Sequence, residues 1–382
     1  MSEVVELTRA LVALPSVNPQ DGDCLTEPYG ESRIAQYIFD WFRRARLDVQ
    51  LQQVMPGRAN IIALAEKANC DQTLLVSGHM DTVDVNDMTI APFDPRVRDG
   101  RIYGRGACDD KGPLAAMLLA FRDRVQAGAL GCNLVFLATC GEEYNMAGSE
   151  YYFNQGIGKP SAAVFAEPTE MKVIVAHKGV VRLRLTCAGK SAHSSTPDLG
   201  QNAIYSMARV VTAVQEYARR LSRTTSHPSL PPETLSVTII EGGRQINVIP
   251  DRCTAQIDWR ILPNHDPQHC CEELSAFLRL LFDEPVNIEL LGRHAPMEIN
   301  CSDPVVTALL KSVQQAGFKP QTAVAPYATD ASALVPWQIA APIVGPGNPA
   351  QAHTQDEFIT IDQLEKALLV YKHFLHHWTG YK

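Results

Sequence analysis

Three short, nearly continuous apolar runs constrain this chain most: TLLVSG (73–78), NLVFLATC (133–140) and AAVFAEP (162–168). Runs of that length, apolar at almost every position rather than at alternate ones, suit strands covered on both faces. Between the first two, PLAAMLLAFRDRVQAGAL has apolar residues at 114, 117, 118 and 121 and ends at Gly131, the pattern of a helix with a glycine stop. Strand, helix and strand in succession point to an α/β fold on a mixed, mostly parallel sheet. In such a sheet, reacting groups collect beyond the carboxyl ends of the strands. Acidic and histidine residues stand there: His79 and Asp81 after the first run, Glu142 and Glu143 after the second, Glu167 at the end of the third.

After Lys178-Gly179 the pattern changes. VVRLRLTCAG (180–189) alternates apolar and polar residues, and TLSVTIIEGG (234–243) and CTAQIDWRIL (253–262) do so less strictly, as in a sheet with one exposed face. Helix-like stretches run from Ala203 to Leu221 and from Cys271 to Leu281, and HPSLPPE (227–233) reads as a Pro-rich surface loop. From Asp303 a helix-like segment resumes, APIVGPG (341–347) is another apolar strand, and IDQLEKALLVYKHFLHHW closes the chain as an amphipathic helix. The expected organisation is a discontinuous catalytic domain, 1–179 and 292–382, interrupted by an α+β domain at 180–291.

A chain of 382 residues with 46% apolar content can fill more than one core. Its 34 Lys and Arg against 42 Asp and Glu, with no long run of either sign, argue against a nucleic-acid partner. MSEVVELTRALVALPSV reads as an opening helix rather than a secretion signal. No apolar run approaches the roughly 18 to 20 residues needed to span a bilayer. The ten cysteines include adjacent Cys270 and Cys271 but no C-x-x-C, and most sit in apolar strand-like runs. Free buried thiols in a reducing compartment, hence the cytoplasm, are expected.

The loops carry the chemistry. Asp81, two residues beyond His79, can accept the ring's second N–H and so orient it as a metal ligand. In GRIYGRGACDDKGPLAAM, glycines at 100, 104, 106 and 112 allow tight turns, and Asp109-Asp110 stand just before a helix, where an Asp can equally be a helix cap. The glycines do not follow a strand directly, so they are no dinucleotide fingerprint. Glu142 and Glu143 would be costly if buried unpaired and harmless on a solvated loop. Their functional reading divides labour, one binding metal and the other moving a proton. His353 follows a late strand through GPGNPAQAHTQDE. Two histidines and three carboxylates on five loops suit zinc, cobalt or manganese better than calcium, and suit a pair of ions.

The chain resembles the M20 metallopeptidase and deacylase family. The likeness runs through GHMDTV (78–83), GRGACDDKG (104–112), GEE (141–143), AEPT (166–169), AHKG (176–179) and GKSAHSSTPDLGQNAI (189–204). It continues in GG with NVIP (242–250), DWR (258–260) and GPG with AHTQDE (345–357). The resemblance implies two zinc ions per subunit, with Co²⁺ or Mn²⁺ as substitutes. His79 and Glu167 would bind one, Glu143 and His353 the other, and Asp109 would bridge them through a loop with a cis Asp109–Asp110 peptide. It makes Glu142 the general base and the inserted domain a lid that forms a homodimer, His193 reaching the partner's site to stabilise an oxyanion. Arg260 and Asn247, with Lys178, become candidates to bind a substrate carboxylate. The implied reaction is hydrolysis of an N-acyl amino acid, first N2-acetyl-L-ornithine, with succinyl-diaminopimelate or a di- or carboxypeptidase substrate as alternatives and a non-catalytic binding role as a further one. Met80 stands where the family usually has Thr, and Asp110 where relatives often have Met.

Overall fold

A computed structural model describes residues 1–20, 26–128, 130–156 and 159–381. They form two compact units, one of Met1–Val175, Ile299–Ala323 and Thr329–Lys382, the other of Ala176–Glu298 with Val324–Ala328.

The first unit is built on a five-stranded sheet ordered Asp48–Met55, Arg58–Ala65, Asn133–Thr139, Thr73–His79, Ala162–Phe165. The three apolar runs are its parallel half, Thr73–His79 pairing in parallel with both Asn133–Thr139 and Ala162–Phe165. The other two pairings are antiparallel, so the sheet is mixed rather than mostly parallel. The reason is the two-residue Pro56-Gly57 turn, Gly57 at φ 75°, which can only return the chain as a hairpin. On the far side, residues 340–344 run beside Ala162–Phe165, with Phe165 N–H donating to the Pro342 carbonyl at 3.1 Å and Val344 N–H to the Phe165 carbonyl at 3.0 Å.

The crossover helix is Lys111–Gln126, buried on all sides over its first eleven residues, as its unbroken apolar run requires. It ends before the expected Gly131. Gly128 takes φ 75° and donates its N–H to the Val125 carbonyl at 3.0 Å, a glycine helix stop. Gly131 serves close approach instead, since a Cβ there would lie 2.1 Å from the Trp378 carbonyl oxygen. Phe121 of this helix, Phe42 of helix Ser32–Arg44 and Phe136 of the central strand meet edge to face at 5.5 to 5.9 Å. Each such pair contributes about 0.5–1.5 kcal/mol beyond burial and fixes helix against sheet. The carboxyl ends of the three parallel strands are thereby held side by side, and their loops leave the sheet together.

The second unit is a four-stranded antiparallel sheet ordered Thr234–Gly242, Arg252–Ile261, Gly179–Ala188, Asn287–His294. Its alternating residues behave as their pattern dictates. Val181, Leu183, Leu185, Ala255, Ile257 and Trp259 are buried with Met207, Val210 and Val214 of helix Ala203–Thr224 and Leu274 and Leu278 of helix Pro267–Leu281. The Asn202 and Asp266 side chains cap those two helices by accepting main-chain N–H groups. Among the described residues every cysteine is free, and no helix is long and apolar enough to cross a membrane.

One buried group makes this unit acid-sensitive. His177 is fully buried, its Nδ1 donates to the Lys178 carbonyl at 2.9 Å, and its Nε2 has no partner to receive a second proton's charge. Burial lowers its pKa from 6.5 to about 4. Because the folded value is depressed, the unfolded chain binds the proton first, so stability is intact above pH 6.5 and is lost as pH falls towards 4. His177→Gln is expected to remove about 2–3 kcal/mol of the stability difference between pH 7.5 and 4.5, read from urea unfolding at both values. Equal pH dependence in the two proteins would refute the assignment.

Candidate metal centre

His79 is the last residue of its strand and is 1% exposed. Its main-chain N–H donates to Asp110 Oδ2 at 3.1 Å, so Asp110, although it stands at the helix N-cap position, makes no cap hydrogen bond. Gly78 makes room for this, because a Cβ there would lie 2.7 Å from that oxygen. The His79 ring points Nε2 at Asp109 Oδ1, 3.0 Å away, with Glu167 Oε2 at 4.0 Å. Its Nδ1 faces Asp81, but the nearer acceptor is that residue's main-chain carbonyl at 3.0 Å, the carboxylate lying at 3.6 Å.

The Asp81 carboxylate is occupied by the next loop. Oδ1 accepts the N–H groups of Gly141 and Glu142 at 3.0 Å each, and Oδ2 accepts that of Glu143 at 3.1 Å and Asn18 Nδ2 at 2.7 Å. Glu31, paired with Arg58 in a fully buried salt bridge, also accepts the Gly141 N–H at 3.0 Å. Asn60 takes the Cys140 N–H at 3.1 Å and donates to the Gly148 carbonyl at 2.8 Å. Asp330 accepts Thr139 Oγ1 and Ser149 Oγ at 2.6 Å each. Asp81 thus fixes the middle of the Glu142-Glu143 loop, and its ends are fixed by Glu31, Asn60 and Asp330, buried polar groups that the sequence reading missed. Only Arg58 carried a signal, a charge at the head of the apolar run RANIIALA.

His353 sits at φ 62° on its loop and is half exposed, its Nε2 3.1 and 3.2 Å from the Glu143 oxygens and 3.4 Å from Asp109 Oδ2. Asp109 therefore faces His79 with one oxygen and His353 with the other, and the Asp109–Asp110 peptide is cis. Two donor groups result, His79 with Asp109 and Glu167, and Asp109 with Glu143 and His353, the ligand atoms in each within 4.8 Å of one another.

The electrostatics show what such a cluster needs. Burial, reinforced by the charge of Glu167, pushes Glu142 well above the carboxylate range. Burial likewise raises Glu167 and Glu143. Hydrogen bonds to Asp109 and Glu143 raise His353 to about 11. Burial opposes protonation of His79, yet its bonds to Asp109 and Asp81 and the charge of Glu167 carry its pKa well above 6.5. Burial raises the three glutamates, the neighbouring carboxylates raise both histidines, and Asp109 alone among the ligand carboxylates is held low by its bonds to them, so a cluster rich in buried carboxylates draws in positive charge. A nitrogen and two carboxylates in each group, one carboxylate shared, fit a pair of borderline divalent cations.

The remaining sequence candidates lie in the second unit. His193 is exposed, and its Nδ1 accepts the Ser195 N–H at 3.2 Å and hydroxyl at 2.6 Å. Asn247 is exposed and accepts the Ser194 N–H on its carbonyl. Arg260 donates to both oxygens of Asp258, at 2.6 and 3.2 Å. Lys178 is buried and donates to the Pro232 carbonyl.

Comparison with known proteins agrees with this geometry. The chain is 31% identical over 371 residues to an acetylornithine deacetylase of Proteus mirabilis, covering 94% of this chain and 93% of that protein. It is 28% identical over 379 residues to a probable succinyl-diaminopimelate desuccinylase of Staphylococcus epidermidis, covering 91% and 93%. In fold it matches the M20 family metallo-carboxypeptidase Sso-CP2 of Sulfolobus solfataricus with a TM-score of 0.80 at 22% identity, over 98% of this chain and 99% of that one. A tripeptidase of Staphylococcus aureus superposes with a TM-score of 0.77 at 21% identity, over 98% and 97%. Residues 75–377 match the family described as Peptidase family M20/M25/M40, and with its His and carboxylate groups in place the chain belongs to that family as a metal-dependent hydrolase.

Proposed function

We propose that this hydrolase removes the acyl group from an N-acyl amino acid, N2-acetyl-L-ornithine before others, as a cytoplasmic enzyme of arginine biosynthesis. The carrying observation is Asp109 shared between two donor groups, with Glu142 beside them but in neither. In this reading His79 and Glu167 hold one zinc ion, Glu143 and His353 the other, and Asp109 both. Ions held there would supply Lewis acidity for the amide carbonyl and would acidify water. Glu142 takes a proton from the attacking water and delivers it to the leaving nitrogen as the C–N bond breaks. Asp81 steadies both His79 and the main chain of Glu142, so that the base moves little during the transfer. His193, whose Nδ1 accepts from Ser195, keeps its proton on Nε2 and is an oxyanion donor for the partner subunit's site. Arg260, its guanidinium oriented by two bonds to Asp258, and Asn247 bind the substrate carboxylate, with Lys178 as a third contributor.

The homodimer that this role of His193 requires is supported by the outer strand Thr234–Gly242, which exposes Ile239 and Ile240 beside an open sheet edge. A monomer in sedimentation would remove the His193 role. The relative named for succinyl-diaminopimelate desuccinylation supports a second substrate reading. Steady-state kinetics on acetylornithine, succinyl-diaminopimelate and dipeptides decide between them. At least a tenfold advantage in kcat/KM for acetylornithine is expected, about 1.4 kcal/mol of differential transition-state binding. A preference for the succinyl compound reassigns the substrate, and failure to cleave any of them sinks the deacylase reading.

A further inference from the structure

Glu357 lies four residues beyond His353 and is fully buried, yet every hydrogen bond of its carboxylate goes to the Asp109 loop. Oε1 accepts the N–H groups of Cys108 at 2.8 Å and of Asp109 itself at 3.0 Å. Oε2 accepts the Gly106 N–H at 3.0 Å and Arg105 Nη1 at 2.8 Å. Arg105, 4% exposed, then reaches back to the other loop, its Nη1 3.3 Å from the Thr354 carbonyl, next to His353, while Nε donates to the Asp84 carbonyl at 3.0 Å. The Gly104 N–H closes the lattice on the Glu357 carbonyl at 3.0 Å. A buried charge held in this way is retained at a cost unless its geometry is needed. Glu357 and Arg105 touch no donor atom of the metal centre, but they clasp the main chains that carry two of them.

We propose that the Glu357–Arg105 pair is a positioning device that sets the separation between Asp109 and His353, and so governs the affinity of the metal position formed by Asp109, Glu143 and His353 more than that of the position formed by His79, Asp109 and Glu167. The asymmetry follows from connectivity: the pair holds two of the three carriers of the former group and one of the latter. This rests on the two-ion reading above. Groups that orient ligands from outside the coordination sphere typically change metal affinity by about 10- to 100-fold.

The test is zinc titration of chelator-stripped protein by calorimetry, in the wild type, Glu357→Gln, the doubly uncharged Arg105→Met/Glu357→Gln, and His353→Ala as a marker. The wild type should bind in two steps. In Glu357→Gln one step should weaken at least tenfold, the same step that His353→Ala abolishes, while the other moves less than about threefold. Should Glu357→Gln fail to fold because Arg105 is left buried without its partner, the double variant carries the test with the same expectation. Two unchanged steps, or equal weakening of both, in a folded variant overturns the proposal. A wild type that binds fewer than two ions overturns the two-ion reading instead, whatever the variants do.

Discussion

Glu142→Ala is expected to lower kcat by about a thousandfold or more while leaving both metal positions filled. The two halves of that expectation come from different observations. Glu142 belongs to neither donor group, so its removal takes no ligand away. Its neighbour Glu143 is held by the Asp81 carboxylate through its own N–H at 3.1 Å, independently of the Glu142 side chain, and keeps its place beside His353. What disappears is the proton carrier: the attacking water loses its base and the leaving amine its acid, in a reaction where an amine anion cannot depart unprotonated. Retained turnover would show that another group moves the proton. Loss of metal along with turnover would show that Glu142 is a ligand.

Asp109→Asn should do the opposite, removing metal first and activity with it. Asp109 is the one residue common to both groups, and its two oxygens face different histidines, 3.0 Å from His79 Nε2 and 3.4 Å from His353 Nε2. Bonds to those histidines hold its pKa below the carboxylate range against the effect of burial, so it presents a full negative charge to both sides. Asparagine has nearly the same volume, and the Glu357 cradle acts on the main chain, so the loop should persist. The charge does not, and affinity at both positions should fall on the order of a hundredfold or more. His353→Ala, by contrast, strips one group only. Equal metal content in Asp109→Asn and the wild type would contradict the shared role.

Much of this site was legible because apolar runs reveal where buried strands stop. His79, Glu142, Glu143 and Glu167 follow such stops directly, and a sheet with parallel strands gathers those ends on one side. The antiparallel hairpin was written in Pro56-Gly57 but was not read, because its outer strand is half exposed and lacks a continuous apolar run. The residues that hold the loops were beyond sequence reasoning for a different reason. Glu31, Asn60 and Glu357 take main-chain N–H groups 80 to 251 residues away, and Asn18 and Asp330 bond side chains 63 and 191 residues away, so no local period or spacing announces such a contact. Asp81 was legible by its proximity to His79, yet its carboxylate does most of its bonding to residues 141–143, a role that only the folded chain reveals.

Elemental analysis of purified protein measures the central claim most directly, as bound divalent metal per chain in the wild type, Glu142→Ala and Asp109→Asn after equilibration with zinc and removal of the free ion. The account predicts two ions in the wild type, two in the inactive Glu142→Ala protein, and a clear loss from both positions in Asp109→Asn. A wild type without stoichiometric metal, or an Asp109→Asn protein that keeps both ions, would contradict it.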